Sequence, residues 1–417
     1  MSEIVDKYAI LVTIAESTSM LDECERSLAE LERLLNTAGG ECFAKVIQVK
    51  DKFDPRTCIG KGKVEEISEL AKNNNVSLIV FDFELSPAQI RNLENDIGDV
   101  TVIDRSMLIL DIFALHAVSG EGKLQVELAQ LRYSAPRLTG KGIELSRQGG
   151  GIGSRGPGES KLETDRRHLH EKIVSLEKKL AELEHNRSIM RAQRDRSGLT
   201  KVALVGYTNA GKSTLLNKIT GSDVLAEDKL FATLDPTTRK MELETGESIL
   251  LTDTVGFIRK LPHHLVKAFK STLDEVVYAD ILLIVSDVND PEVREHLEVT
   301  KGVIEELGAS DKPIIYVYNK CDLTDGISYA ILSDNSVCLS ARSGEGINVL
   351  LDMICTEIAK GKREYELLIP YTEQSALNQL YKLYNVISVD YTDNGITVKV
   401  VLDGKGRGQY SKYIAEA

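Results

Sequence analysis

Residues 201–219, KVALVGYTNAGKSTLLNKI, decide how this chain is read. The apolar run at 201–205 has the composition of a buried strand, and the residues from 213 onward carry apolar side chains at helical spacing. Between them Gly206-Tyr207-Thr208-Asn209-Ala210-Gly211-Lys212-Ser213 satisfies GxxxxGK[ST]. The glycines let such a loop curl until its backbone N–H groups point at phosphate oxygens, and the start of the next helix adds positive potential. Lys212 supplies an ammonium for the β- and γ-phosphates, and the Ser213 hydroxyl is a hard oxygen ligand for Mg²⁺.

Downstream the spacing fits a nucleotide site. Asp253-Thr254-Val255-Gly256 ends the apolar run SILLT, where an aspartate can hold Mg²⁺ through water and a glycine amide can meet the γ-phosphate. Asn319-Lys320-Cys321-Asp322 ends the strand-like PIIYVY. The Asp322 carboxylate can accept from N1–H and the 2-amino group of guanine, a donor pair adenine lacks, so the base is expected to be guanine. Ser340-Ala341-Arg342 suits a loop beside the guanine O6. Between the phosphate loop and Asp253 lies LFATLDPTTRK (230–240), the place for a segment that senses the γ-phosphate. Thr233 and Thr237 are both candidates there for a second Mg²⁺ hydroxyl. The position after Gly256, where a glutamine would orient the attacking water, is Phe257. Slow intrinsic hydrolysis is therefore expected. Asn209 can either help hold a monovalent cation, K⁺, beside the phosphates or brace the loop.

Outward from this core, strands KVALVG, ESILLTD, ADILLIVSD, KPIIYVYNK and SVCLSA alternate with helical patterns over 199–363, a doubly wound α/β domain. Residues 1–100 show AILVTIA, AKVIQV and SLIVFD between helical stretches, a small α/β domain with a parallel sheet. Residues 101–198 differ. Leu124, Leu128 and Leu131 mark a helix expected to stop at Pro136. Leu162, Leu169, Ile173, Leu176, Leu180, Leu183 and Met190 then follow a heptad seam, with Arg166 and Arg187 in two of its positions. The glycine- and arginine-rich RLTGKGIELSRQGGGIGSRGPGES lies between. An antiparallel helical hairpin is the economical reading, with a dimeric coiled coil as its rival. Residues 364–417 suggest one helix and a β-hairpin, a small α+β appendage.

Composition sets outer limits. Hydrophobic residues form 42% and charged residues 28% of 417, ordinary for a globular protein. No apolar run approaches the ~20 residues of a membrane span, and MSEIVDKYAILV lacks the features of a secretory leader. The six cysteines (24, 42, 58, 321, 338, 355) form no CxxC pair and read as reduced thiols of a cytoplasmic protein. The net charge of −13 opposes a whole-protein grip on nucleic acid, but from Arg132 to Arg196 fifteen Lys/Arg outnumber nine Asp/Glu.

RTCIGKGKVEEI (56–67), VIDRSMLILDIFALHA (102–117), EGKLQVELAQLRYSAPRLTG (121–140), GGGIGSRGPGESKLETDRR (149–167), GYTNAGKST, FATLDPTTRK, DTVGFIRKLPHHLVKAFKSTL (253–273) and NKCD together resemble the HflX family of translation-factor-related GTPases. The pairing of GGGIGSRGPGE with DTVGFIRKLP is the specific part. The resemblance implies a cytoplasmic GTPase, expected to be a monomer, that binds the large ribosomal subunit and, with GTP, splits stalled or idle ribosomes. It implies that the N-terminal domain and the hairpin engage ribosomal RNA and that the subunit stimulates hydrolysis. It favours Thr233 over Thr237 as the Mg²⁺ ligand beside Ser213, and agrees with an apolar residue at Phe257. The residues it places around GTP are Gly206, Tyr207, Thr208, Asn209, Ala210, Gly211, Lys212, Ser213 and Thr214; Phe231, Ala232, Thr233, Leu234 and Asp235; Asp253, Thr254, Val255 and Gly256; Asn319, Lys320, Cys321 and Asp322; and Ser340, Ala341 and Arg342. Lys212, Thr233 and Asn209 are the expected catalytic set.

A hairpin tip carrying Arg137, Lys141, Arg147, Arg155 and Lys161 suits a crowded RNA cleft, because glycine permits close approach and arginine pairs with phosphate. Two alternatives stand beside this: a signalling switch with a protein effector on the hairpin, and a nucleotide-driven RNA remodeller. Gly151-Ile152-Gly153-Ser154-Arg155-Gly156 spells GxGxxG, but no strand precedes it, so it is weak as a nucleotide site.

Overall fold

The computed structural model describes residues 8–138, 157–196, 199–222, 230, 231, 234–260, 262, 265, 270–323, 334–402 and 404–414. The chain opens with a four-stranded parallel sheet in the order β2-β1-β3-β4: β1 (Tyr8–Ala15), β2 (Glu41–Val49), β3 (Leu78–Phe81) and β4 (Thr101–Asp104). Its central strands are apolar without alternation because helices cover both faces. Helix α1 (Leu21–Thr37) turns Leu28, Leu31, Leu34 and Leu35 inward and stops where Gly39 takes φ +87. α2 (Lys61–Asn73) and α3 (Pro87–Ile97) complete the layers, α3 starting on a capping box between Ser86 and Gln89. A boundary at residue 100 is corrected by this sheet: β4 pairs with β3 in register Leu78↔Thr101, so the N-terminal layer continues past it. The tetrapeptide Thr101–Asp104 is too short to advertise itself as a strand.

α4 (Arg105–His116) is capped by Asp104, whose carboxylate accepts from the Met107 N–H at 3.0 Å. It is apolar on most sides, with Leu108, Ile109, Leu110, Ile112 and Phe113 buried. The reason is its position: one hydrophobic cluster runs from Leu28 and Leu110 through Phe113 to Phe231, Phe257 and Leu297, joining the N-terminal layer to the nucleotide-binding domain.

α5 (Gly120–Leu138) and the 40-residue α6 (Pro157–Arg196) pack side by side. Along α6 the less exposed residues Leu169, Ile173, Leu176, Leu180 and Leu183 are those of the seam. Arg187 pairs with Glu121 and Arg132 with Glu177, so the two helices run antiparallel within one chain. Pro136 does not end α5, which continues two residues further to Leu138. The helix forgoes the bond that a Pro136 N–H would have made and carries on through it. The glycine-arginine loop, with Lys141, Arg147, Arg155 and the GxGxxG at 151–156, lies outside the described residues.

The nucleotide-binding domain is a six-stranded sheet ordered β10-β9-β8-β5-β7-β6. Its strands are β5 (Thr200–Val205), β6 (Thr237–Glu242), β7 (Ser248–Asp253), β8 (Ile281–Asp287), β9 (Ile314–Asn319) and β10 (Ser336–Cys338). All are parallel except β6, an antiparallel edge strand absent from the sequence reading. α7 (Lys212–Thr220), α8 (Lys270–Tyr278), α9 (Val293–Glu306) and α10 (Ile347–Lys360) flank it. Connections leave β5 to β6 and β7 on one side and cross to β8 on the other, so the phosphate loop sits at the switch point of the sheet. The C-terminal part holds three antiparallel strands, β11 (Arg363–Ile369), β13 (Gly395–Leu402) and β12 (Asn385–Thr392), with α11 (Gln374–Leu383) and the short α12 (Gly404–Gln409). The expected hairpin is therefore two thirds of a sheet. β11 escaped notice because REYELLI mixes charged, outward residues with the buried Leu367 and Ile369. Among the described residues no helix is long and apolar enough to cross a membrane.

Candidate nucleotide-binding site

Backbone sterics make the loop what it is. Gly206 takes φ +145, and a Cβ there would collide with the Val285 carbonyl; Gly211 takes φ +90, and a Cβ there would collide with the Asn319 amide. Asn209 also lies in the left-handed region, φ +62, and is exposed. Lys212 begins α7 and is buried, its ammonium donating to the carbonyls of Gly206 (3.1 Å) and Tyr207 (2.8 Å). Burial pushes its pKa down to about 8, against the opposing pull of Asp253. A triphosphate at this position would favour the charged ammonium.

Ser213 donates to Asp253 Oδ2 at 2.6 Å, bringing two hard oxygen donors together beside Lys212. That donor set suits Mg²⁺, which takes few protein oxygens and keeps waters for the rest. Gly256 closes the far wall: a Cβ there would lie 2.7 Å from Thr208 Cα and 3.0 Å from Lys212 Nζ. Phe257 is fully buried, and its N–H and C=O make a two-bond ladder with the phosphate loop, Phe257 N–H to Gly206 O at 3.0 Å and Thr208 N–H to Phe257 O at 2.8 Å. Thr254 Oγ1 donates to Leu204 O at 2.6 Å, which fixes the turn into this segment.

Asn319 couples the base end to the phosphate end. Its amide donates to Ala210 O and its carbonyl accepts from the Ala341 N–H, each at 2.9 Å. Lys320, at φ +67, pairs with Asp287 at 2.8 Å. Asp322 and Arg342 are exposed, while Ser340 and Ala341 are buried. Cys321 is half-buried, and desolvation lifts its thiol to about 11.

Other sequence-derived residues go elsewhere. Ala232 and Thr233 lie outside the described residues. Phe231 and Leu234 are buried in the cluster shared with the N-terminal layer, and the Asp235 carboxylate binds backbone N–H groups of Val118 and Ser119. Thr237 starts β6 opposite Asp253. Tyr207 points its ring away from the phosphate face, stacked on His296 with centroids 3.6 Å apart.

That tyrosine leads to residues the sequence gave no reason to join. Its hydroxyl donates to Glu30 of α1 and accepts from the Arg259 N–H at 2.7 Å. Glu30 also receives Arg105, which is buried and reaches Asp82 at 2.7 Å and the Arg259 carbonyl at 3.1 Å. Lys260, at φ +49, extends to Asp82 (2.7 Å) and Ser27 (3.0 Å). Two carboxylates thus meet two cations. Burial alone would lower the Arg105 pKa, but Glu30 and Asp82 outweigh it and raise it; burial, then Glu30, keeps the Tyr207 phenol protonated. Asp82 stands at the carboxyl end of β3, the edge where open parallel sheets take ligands, and here that edge receives Lys260. Asp290, Glu292 and His296 cluster within 4.8 Å, but Glu292 already binds Arg26 (2.8 Å) and Arg259 (2.7 Å), so the group reads as an ion-pair network.

Three family models match in succession: "GTP-binding GTPase N-terminal" over residues 25–114, "GTP-binding GTPase Middle Region" over 116–194 and "50S ribosome-binding GTPase" over 201–320. GTPase HflX of Lacrimispora saccharolytica is 48% identical over 403 residues, 95% of each chain. GTPase HflX of Escherichia coli is 45% identical, covering 87% of this chain and 86% of that one. A crystal structure of a GTP-binding protein from the archaeon Sulfolobus solfataricus in complex with GDP is 25% identical, covers 85% of this chain and 99% of that chain, and has a TM-score of 0.44. With nearly half its residues shared along almost its whole length, the chain belongs to the HflX family of ribosome-associated GTPases.

Proposed function

We propose that this GTPase binds the large ribosomal subunit in its GTP state and separates stalled or idle ribosomes, acting in the cytoplasm as a monomer. What carries the reading is the hairpin of α5 and α6, whose stretch from Arg132 to Arg196 reverses the acidic balance of the chain and whose base packs against the nucleotide-sensing segment. A basic hairpin of this kind meets RNA phosphates, while the nucleotide sets when it does so.

At the site, Lys212 and the loop amides hold the β- and γ-phosphates, and Asp322 selects guanine with Lys320, Ser340, Ala341 and Arg342 around the base. Ser213 and Thr233 would ligate Mg²⁺, with Asp253 holding it through water. When bound, the ion would supply charge neutralisation for the triphosphate. Asn209 sits exposed at the mouth while Asn319 braces the loop, which leaves Asn209 for a K⁺ ion. The buried, apolar Phe257 cannot orient a water molecule, so another element completes the catalytic arrangement when the subunit is bound.

Sedimentation of ribosomes through sucrose with the protein and GTP, a non-hydrolysable GTP analogue, GDP or ATP tests this. Intact ribosomes should disappear with GTP or its analogue alone; an unchanged profile in every nucleotide removes the proposal.

A further inference from the structure

The segment between the phosphate loop and β6 is gripped at two points by the N-terminal half of the chain. Phe231 is buried at φ +58, a strained value for a bulky residue, and its ring meets that of Phe113 in α4 edge to face with centroids 4.7 Å apart. Four residues on, Asp235 Oδ2 accepts from the N–H groups of Val118 (3.0 Å) and Ser119 (2.7 Å), and Oδ1 accepts from Ser119 Oγ at 2.5 Å. Ser119 Oγ in turn accepts from the Gly122 N–H at 2.8 Å. Val118 and Ser119 immediately precede α5 and Ser119 Oγ is its cap, so a carboxylate 116 positions away in sequence holds the capping residue of the first helix of the hairpin. Gly122 leaves it room, since a Cβ there would stand 2.6 Å from Asp235 Oδ1.

We propose that Asp235 is a positioning residue for GTP hydrolysis: by binding the residues that lead into α5 it makes the base of the hairpin and the segment entering β6 one mechanical unit. The proposal rests on the reading of residues 230–240 as the γ-phosphate-sensing segment made above. Phe231 and Asp235, four positions apart, are thus both held against the N-terminal half before nucleotide arrives. Linkage makes the effect reciprocal. Whatever displaces α5 alters the preference for GTP over GDP by the factor with which nucleotide alters the seating of α5.

The full-length protein is compared as wild type, Asp235→Ala, Ser119→Ala and the double variant. Readouts are the single-turnover GTP hydrolysis rate and the Kd values for GDP and for a non-hydrolysable GTP analogue with Mg²⁺. Ser119 has no nucleotide-facing role, yet Ser119→Ala should slow hydrolysis about fivefold, the equilibrium factor carried by one helix cap. It should weaken the analogue by a similar factor and leave GDP unchanged. Asp235→Ala should do the same, and the double variant should be no worse than Asp235→Ala. Ser86→Ala, which removes the cap of α3, should lower Tm but leave the rate and the affinity ratio alone. A Ser119→Ala protein with a wild-type rate, or one whose GDP and analogue affinities fall together, overturns the proposal, as do additive losses in the double variant. Thr233→Ala is measured in parallel. Full hydrolysis in that variant removes the Mg²⁺ assignment of the proposed function, independently of what Ser119→Ala shows.

Discussion

The hydroxyl of Tyr207 donates to Glu30 and accepts from the backbone N–H of Arg259 at 2.7 Å, so one oxygen joins the phosphate loop, the N-terminal layer and the segment following Asp253. The GxxxxGK[ST] pattern leaves this position open to any residue. Here the side chain turns out of the nucleotide pocket and ties the loop to a neighbouring sheet.

Replacing Tyr207 by phenylalanine keeps the stack on His296 and deletes both hydrogen bonds. Glu30 would keep Arg105, but the Arg259 N–H would lose its acceptor. A loss of about 1–3 kcal/mol in unfolding free energy is expected from leaving buried polar groups unpaired. Denaturant titration of the intact chain measures it, and an unchanged midpoint would show the hydroxyl to be idle.

Asp82 is the hub of the charged cluster, receiving Arg105, Lys260 and Ser27. Asp82→Ala leaves the buried Arg105 guanidinium with one carboxylate, Glu30, in place of two, and about 3–5 kcal/mol of destabilisation is expected. Arg132→Ala removes an ion pair whose partners are 54% and 42% exposed, and should cost at most about 1 kcal/mol. Equal losses in the two variants would mean that the cluster is not dry.

Gly256 has no room for a methyl group, whereas a Cβ on Gly302, in the exposed middle of α9, meets nothing within 4 Å. Gly256→Ala should push Thr208 and weaken nucleotide binding more than about tenfold, a shift of roughly 1.4 kcal/mol. Gly302→Ala should instead raise stability by about 0.5–1 kcal/mol through helix propensity. Calorimetric titration with GDP and thermal unfolding separate the two outcomes.

Cys321, next to the proposed base contact Asp322, has its thiol raised to about 11 by burial, from an ordinary 9.0. The thiolate is the reactive form, so at pH 8 its population is roughly a hundredfold below that of an unperturbed cysteine. Alkylation at pH 8 should be slow by about that factor and should accelerate tenfold per pH unit up to about 11. Stability follows the same sign: the thiol stays protonated in the folded chain after it has begun to ionise in the unfolded one, so folding weakens as pH rises from about 9 to about 11. Rapid labelling at pH 8 would contradict the burial of this side chain.

Legibility in the sequence tracked how local the determining physics is. The strand before Gly206 is apolar from Val202 to Val205, and GxxxxGK[ST] needs eight consecutive residues, so this part could be read directly. The edge strands β6 and β11 could not: Thr237–Glu242 and Arg363–Ile369 each show solvent most of their side chains, and their pairing depends on partners far along the chain. β4 was separated from its sheet because four residues carry no period. The Glu30–Arg105–Asp82–Lys260 cluster was invisible for a related reason. Its bonded members lie 23 to 178 positions apart, and a lone arginine at the head of an apolar helix gives no hint that it will be buried. Tyr207 offered a signal in retrospect, being a large aromatic in a loop whose other residues are small.

The claim on which the account stands is that Asp322 reads guanine while the loop from Gly206 to Ser213 holds the phosphates. Calorimetric titration of wild type and Asp322→Asn with GDP, ADP and xanthosine diphosphate tests it directly. Wild type should prefer GDP over ADP by about 10³-fold or more, because adenine leaves the carboxylate without donors. Asp322→Asn should lose GDP and gain the xanthine nucleotide, whose 2-oxo group accepts where guanine donates. Equal affinities of the wild-type protein for GDP and ADP would contradict the account.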